Sequence, residues 1–122
     1  MFINLTPHGI RIKGVVLTTQ EEHVLEVQPS GDVAICRPIR GDTKEANLGC
    51  FLFNVSSSTL GKVTLSNGQP FPAPELGKVF IVSSMVQEAM PRADVLAPDT
   101  GPTAKRDDKG NVWAVTRLIG PK

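Results

Sequence analysis

Apolar and polar residues alternate in short runs along most of this chain. Phe2-Ile3-Asn4-Leu5 alternates and predicts a strand, which Thr6-Pro7-His8-Gly9 interrupts. Pro7 fixes its own φ and removes an amide donor, so this point is an edge or a turn. Gly9 to Leu17 predicts a second strand, and Val24 to Val27 a third. Pro29-Ser30-Gly31-Asp32 has the residues of a tight turn, which makes Val33 to Cys36 the expected hairpin partner of the third strand. Arg37 to Leu48 is polar and reads as a loop. Phe51 to Val55 is an aromatic strand, Ser56 to Thr59 a polar bridge, and Val63 to Leu65 a short strand before the turn Ser66-Asn67-Gly68. Pro70, Pro72 and Pro74 impose an extended, irregular path up to Gly77.

Val79 to Val82 is a continuous apolar run of strand length. Ser84-Met85-Val86-Gln87 then carries a capping-box pattern, with Ser84 as cap and Met85, Val86, Ala89 and Met90 on one helical face until Pro91. Arg92 to Lys109 reads as a charged loop, Lys109-Gly110 as a hairpin turn, and Asn111 to Leu118 as a final strand. One mainly β (α+β) domain over residues 1–122 follows, an antiparallel sandwich or half-barrel with one or two short C-terminal helices.

Composition narrows the function more than the fold. Thirteen basic and twelve acidic residues leave a net charge of +1. That gives no global field to attract a DNA or RNA polymer or an anionic membrane. No apolar stretch approaches the roughly 20 residues of a membrane helix, and Met1 to Pro7 lacks the charged and apolar regions of a signal peptide. The expectation is a protein of the cytoplasm. Cys36 and Cys50 sit among apolar neighbours and read as two buried, reduced thiols.

Nucleophile and phosphate-loop motifs such as GxSxG, the Walker loop, GxGxxG and HExxH do not occur. His8 and His23 are the imidazoles, and neither forms a local Cys–His signature. Two cysteines and two histidines at these spacings match no metal-site pattern, and Asp99 with Asp107-Asp108 lacks the EF-hand arrangement. No enzyme, cofactor or metal is expected on these grounds. The segment Phe80 to Gly110 concentrates the polar chemistry. Arg92 can fork onto a phosphate and Asp94 can accept from ribose hydroxyls; equally, the two can pair with each other. Asp99-Thr100-Gly101 between two prolines is either a rigid ligand loop or an Asx turn. Arg106 can supply positive charge to a diphosphate or sit on a solvated hairpin tip. Phe51, Phe53, Phe80 and Trp113 fit a core better than base-stacking platforms, though one exposed ring can stack a purine. His8 either meets a ligand or locks the N-terminal edge.

Asn4-Leu5-Thr6-Pro7-His8, Pro29-Ser30-Gly31, Phe80-Ile81-Val82-Ser83 with Val86, and Arg92-Ala93-Asp94-Val95 through Pro98-Asp99-Thr100-Gly101-Pro102 to Arg106-Asp107 form a pattern. It resembles that of small phage and prophage proteins, the Thoeris anti-defence sponges of the first type described. Such sponges bind the cyclic ADP-ribose isomers made by bacterial TIR enzymes without cleaving them, and some also hold cyclic oligonucleotides. The resemblance implies a β-rich core with C-terminal helical material and a homo-oligomer built of dimers, a hexamer among its arrangements. It also implies ligand pockets between protomers, in the host cytoplasm. Candidate ligand-binding residues are Arg92, Asp94, Asp99, Thr100, Arg106, Phe80, Ser83 and His8. The competing readings are a small phage structural or assembly protein and a small nucleotide hydrolase.

Overall fold

The computed structural model describes residues 1–121. Strands dominate it, gathered into one four-stranded sheet and three hairpins. The sheet runs in the order β1 (Phe2–Asn4), β6 (Val79–Ile81), β7 (Val95–Pro98) and β10 (Leu118–Ile119). The mainly β class is as expected, but β1, β6 and β7 are parallel to one another, and only β10 is antiparallel to its neighbour. The apolar run at Val79 to Val82 accords with this. A strand covered on both faces needs no polar alternation, and Phe80, Ile81 and Val82 are all buried.

Helix α1 (Ser84–Ala89) makes the crossover from β6 to β7. Its N-cap is Ser83, whose Oγ accepts from the Val86 amide at 3.4 Å. That corrects the expectation of Ser84 as cap, and it commits the Ser83 hydroxyl, proposed above as a ligand group, to holding the helix start. Val86 points inward, as its spacing requires. Gln87 is buried where Met85 was expected, and Met85 is half-exposed. One sheet face, carrying Phe80 and Val95, packs with Leu5 and Val82 against Val86 of α1 and against Ala34, Val63 and Leu65. Burial of each larger aliphatic or aromatic side chain here is worth about 1.5–3 kcal/mol. Phe80 is 2% exposed and meets Phe71 edge-on at 5.4 Å, so it is a core residue and cannot touch a ligand.

The hairpins differ most from the sequence reading. β3 (Glu22–Val27) pairs with β2 (Ile10–Val15) before it, not with the segment after Pro29. The Pro29-Ser30-Gly31 turn instead returns the chain along β1, with the Ser30 amide donating to the Asn4 carbonyl at 3.0 Å and the Ala34 amide to Leu5 at 2.9 Å. β4 (Ala34–Leu48) pairs with β5 (Phe51–Leu65) over almost their whole length. The expected loop at Arg37 to Leu48 and the bridge at Ser56 to Thr59 are therefore strand. The base of this ribbon joins the core, but nearly every residue from Arg37 to Lys62 is exposed, so the ribbon leaves the body as an arm. Cys50 is exposed at the arm's turn and Cys36 is half-buried, which corrects the expectation of two buried thiols. The last hairpin, β8 (Lys105–Arg106) with β9 (Val112–Ala114), turns at Gly110, whose φ of +83° suits glycine.

Candidate ligand cleft

The N-terminal turn is built by one buried amide. Asn4 is 1% exposed and all its hydrogen-bonding capacity is used. Its Nδ2 donates to the carbonyls of His8 (2.8 Å) and Val27 (3.1 Å), while its Oδ1 accepts from the Thr6 amide (3.0 Å) and hydroxyl (2.6 Å). This ties residues 6–8 to the end of β3 and leaves the His8 side chain at the surface. Beyond His8, β2 reaches across to the C-terminal part of the chain. The Lys13 amide donates to the Val115 carbonyl at 2.8 Å, and the Val115 amide to the Arg11 carbonyl at 2.9 Å.

That crossing creates a cleft of about 300 Å³. Its floor and walls are Ile10, Pro98, Val112, Ala114 and Val115, and its polar rim is His8, Arg11 and Thr100, with Trp113 beside Arg11. The Arg11 guanidinium lies 5.7 Å from the centroid of the Trp113 ring, a cation–π distance. Trp113 is 46% exposed, so its ring is available to a ligand and is not the core residue its sequence context suggested. The cleft combines a π-face, a cation, a hydroxyl and an imidazole around an apolar floor, which suits a planar heterocycle attached to an anionic group.

Two of the residues singled out in sequence, His8 and Thr100, line this cleft directly. Two more hold the loop that carries Thr100. Asp99 makes the Asx turn, accepting from the Gly101 amide at 3.0 Å through Oδ1, and from Arg117 Nε at 2.8 Å through Oδ2. These bonds, the Gly101 amide first, hold its carboxyl below the ordinary 3.8. Arg106 spends its fork on backbone, donating to the Gly110 carbonyl at 2.9 Å and to the Thr100 carbonyl at 2.8 Å. Both residues position the site and neither presents its bonded groups to the cleft.

Arg92 and Asp94 do not line the cleft. Arg92 Nε and Nη2 grip the two Asp94 oxygens at 2.9 and 2.6 Å, while Nη1 donates to the Pro72 carbonyl at 2.9 Å and the guanidinium rests 5.3 Å from the Phe71 ring. The hydrogen bond from Arg92 is the main reason that the Asp94 carboxyl titrates below its ordinary value. The pair clamps the proline-rich segment onto the body. This corrects the assignment of Arg92 to a phosphate and Asp94 to a ribose: each is the other's partner.

Sequence reasoning missed Arg11, and it weighed Trp113 only as one of four rings, any of which could stack a purine if exposed. Each looks ordinary in its own strand, and only the pairing of Ile12 with Val115 brings them together. Among the described residues, no three His, Cys, Asp or Glu side chains gather closely enough to hold a metal ion, and no helix is long and apolar enough to cross a membrane. Comparison with protein-family models, with curated proteins and with solved structures finds no match to this chain.

Proposed function

We propose that this protein binds and sequesters, without cleaving, a cyclic nucleotide immune signal in the cytoplasm of a bacterial host. A cyclic ADP-ribose isomer fits the reading best, with cyclic oligonucleotides as a second ligand class. The observation that carries it is the Arg11–Trp113 pair on the rim of an apolar cleft that also presents His8 and Thr100. Trp113 supplies a stacking face for adenine, Arg11 a cation for the diphosphate, and Thr100 and His8 hydrogen-bonding groups for a ribose. A cleft of about 300 Å³ is at the small end of ligand sites and accommodates only part of such a molecule. A homo-oligomer built of dimers, with a second protomer closing over the rest, completes the pocket.

The test is calorimetric titration of the purified protein with cyclic ADP-ribose isomers, followed by heat release and mass spectrometry of the bound molecule. Binding with intact recovery is expected. Trp113→Ala and Arg11→Ala should each weaken it roughly 10-fold or more, from the 1–3 kcal/mol of a stacked base and a charge-assisted bond of similar size. No binding of any isomer, or recovery of a cleaved ligand, overturns the proposal, and cleavage points to the hydrolase. The long solvated arm favours a second reading, a phage structural or assembly protein. That reading gains if the chain is found in purified virions and Arg11→Ala leaves its incorporation unchanged.

A further inference from the structure

Arg11 supplies the positive charge of the cleft, and its place in β2 offers it two neighbours. On one side of β2 runs the segment that carries Trp113, joined through the Ile12–Val115 bridge. On the other side runs β3, which sets Glu26 directly across the ladder from Arg11. Directly opposed residues of an antiparallel pair share a face, with Cβ atoms about 4.5–5.5 Å apart. A guanidinium at the end of its long stem reaches either neighbour. It lies at the ring, 5.7 Å from the centroid, and among the described residues it makes no hydrogen bond and no ion pair.

The ladder does not force that choice. On the same face, Lys13 takes an acidic side chain of β3, Glu22, at 3.2 Å. What distinguishes Glu26 is Gln28, whose Nε2 donates to Glu26 Oε1 at 2.9 Å. This bond draws the carboxylate along β3 and leaves it outside ion-pair range of Arg11. The Gln28 amide in turn lies against Gly9, a residue of the cleft wall: a Cβ added there would sit 3.5 Å from Gln28 Oε1. Neither Glu26 nor Gln28 lines the cleft itself. A guanidinium without a counter-ion keeps its donors for a ligand, whereas one paired with Glu26 has first to give up that partner.

We propose that Gln28 is a positioning residue that holds the Glu26 carboxylate off Arg11, and that Glu26, as the competing anion, sets how strongly the cleft prefers an anionic ligand to a neutral one with the same base. The inference rests on the reading of the cleft as a nucleotide site and adds the two residues that tune it.

Two measurements on the full chain test it, and the first contains no ligand. Trp113 is the one tryptophan of the chain, so its ring current displaces the NMR resonance of the Arg11 side-chain Nε–H while the two are in contact. Trp113→Leu gives the undisplaced position. Gln28→Ala should move the resonance toward that position, and Glu26→Gln added to Gln28→Ala should move it back. The second measurement follows Trp113 fluorescence during titration with ADP and with adenosine. Gln28→Ala should weaken ADP binding about 2- to 5-fold, and Glu26→Gln should strengthen it by a similar factor, from the size of an exposed ion pair. Adenosine should bind wild type and both variants alike, and Gln28→Ala should have no further effect once residue 26 is Gln. An Arg11 resonance indifferent to Gln28→Ala overturns the proposal, and so does an adenosine affinity that changes as much as that of ADP. If the resonance responds as expected while the wild type binds neither probe, the nucleotide reading falls and the control of Arg11 by Glu26 and Gln28 stands.

Discussion

Replacing Asn4 with alanine tests how the N-terminal turn is held. The substitution removes four hydrogen bonds between 2.6 and 3.1 Å from a side chain that is 1% exposed. A net contribution of about 0.5–1.5 kcal/mol per bond brackets the loss at roughly 2–6 kcal/mol. Part of it is recovered, because the Thr6 hydroxyl, released from Asn4, can turn its single proton to the His8 carbonyl 3.0 Å away, in an exposed setting that water also reaches. The expected cost is therefore about 2–4 kcal/mol, which at roughly 3–6 °C per kcal/mol for a chain of this size lowers Tm by about 6–24 °C. Asn4→Asp sharpens the test. It keeps the acceptor but turns a carboxylate oxygen toward the His8 and Val27 carbonyls, so at neutral pH it should destabilise more than Asn4→Ala. Urea unfolding followed by circular dichroism measures both. An Asn4→Ala variant within about 0.5 kcal/mol of wild type, or an Asn4→Asp variant more stable than Asn4→Ala, would refute the reasoning.

Further outcomes follow from the loop and the arm. Asp94→Asn should destabilise the protein at pH 7 by breaking its grip on Arg92. Because the Asp94 carboxyl is depressed below 3.8, the pair's contribution is present above that value and lost as pH falls through the folded-state value. The stability gap between wild type and Asp94→Asn should thus close under acid, and a gap constant down to pH 2 speaks against it. Gly61→Ala puts a Cβ 2.8 Å from the Arg37 carbonyl oxygen and should cost about 1–3 kcal/mol. Gly41→Ala meets only the Ser57 hydroxyl, which can rotate away, and should cost less; equal melting curves for the two would contradict this. Arg106→Ala frees the Thr100 carbonyl and should weaken ligand binding with little change in Tm, whereas Arg106→Lys should not restore it, lacking the fork that reaches both carbonyls.

Burial leaves a mark on sequence, and what was legible tracks burial. Val79 to Val82, α1, and the turns at Ser66-Asn67-Gly68 and Gly110 were all readable because local chemistry dictates each. The arm was not. Arg37 to Leu48 and Ser56 to Thr59 are strand without a core to face, so apolar periodicity is weak where pairing is strong. β7 hid inside a charged segment because only Val95 and Ala97 need cover there. The parallel pairing of β1 with β6 spans most of the chain and has no local signal. At the site, His8 and Thr100 were found from unusual turns. Arg11 and Trp113 escaped because their proximity depends on pairing β2 with the far end of the sequence.

The pairing of Phe2 with Val79 also has a consequence in time. Translation adds roughly 5–20 residues per second, so β1 waits several seconds for its neighbour to be made. The β2–β3 and β4–β5 hairpins need only local contacts and can close within microseconds of synthesis. The β2–β3 and β4–β5 strands can thus pair on a nascent chain whose central sheet does not yet exist. On a crowded polysome, first contact between neighbouring copies can precede the folding of either core. Slowing synthesis of the segment between Leu65 and Val79 should therefore change the yield of assembled protein more than it changes the stability of what is made.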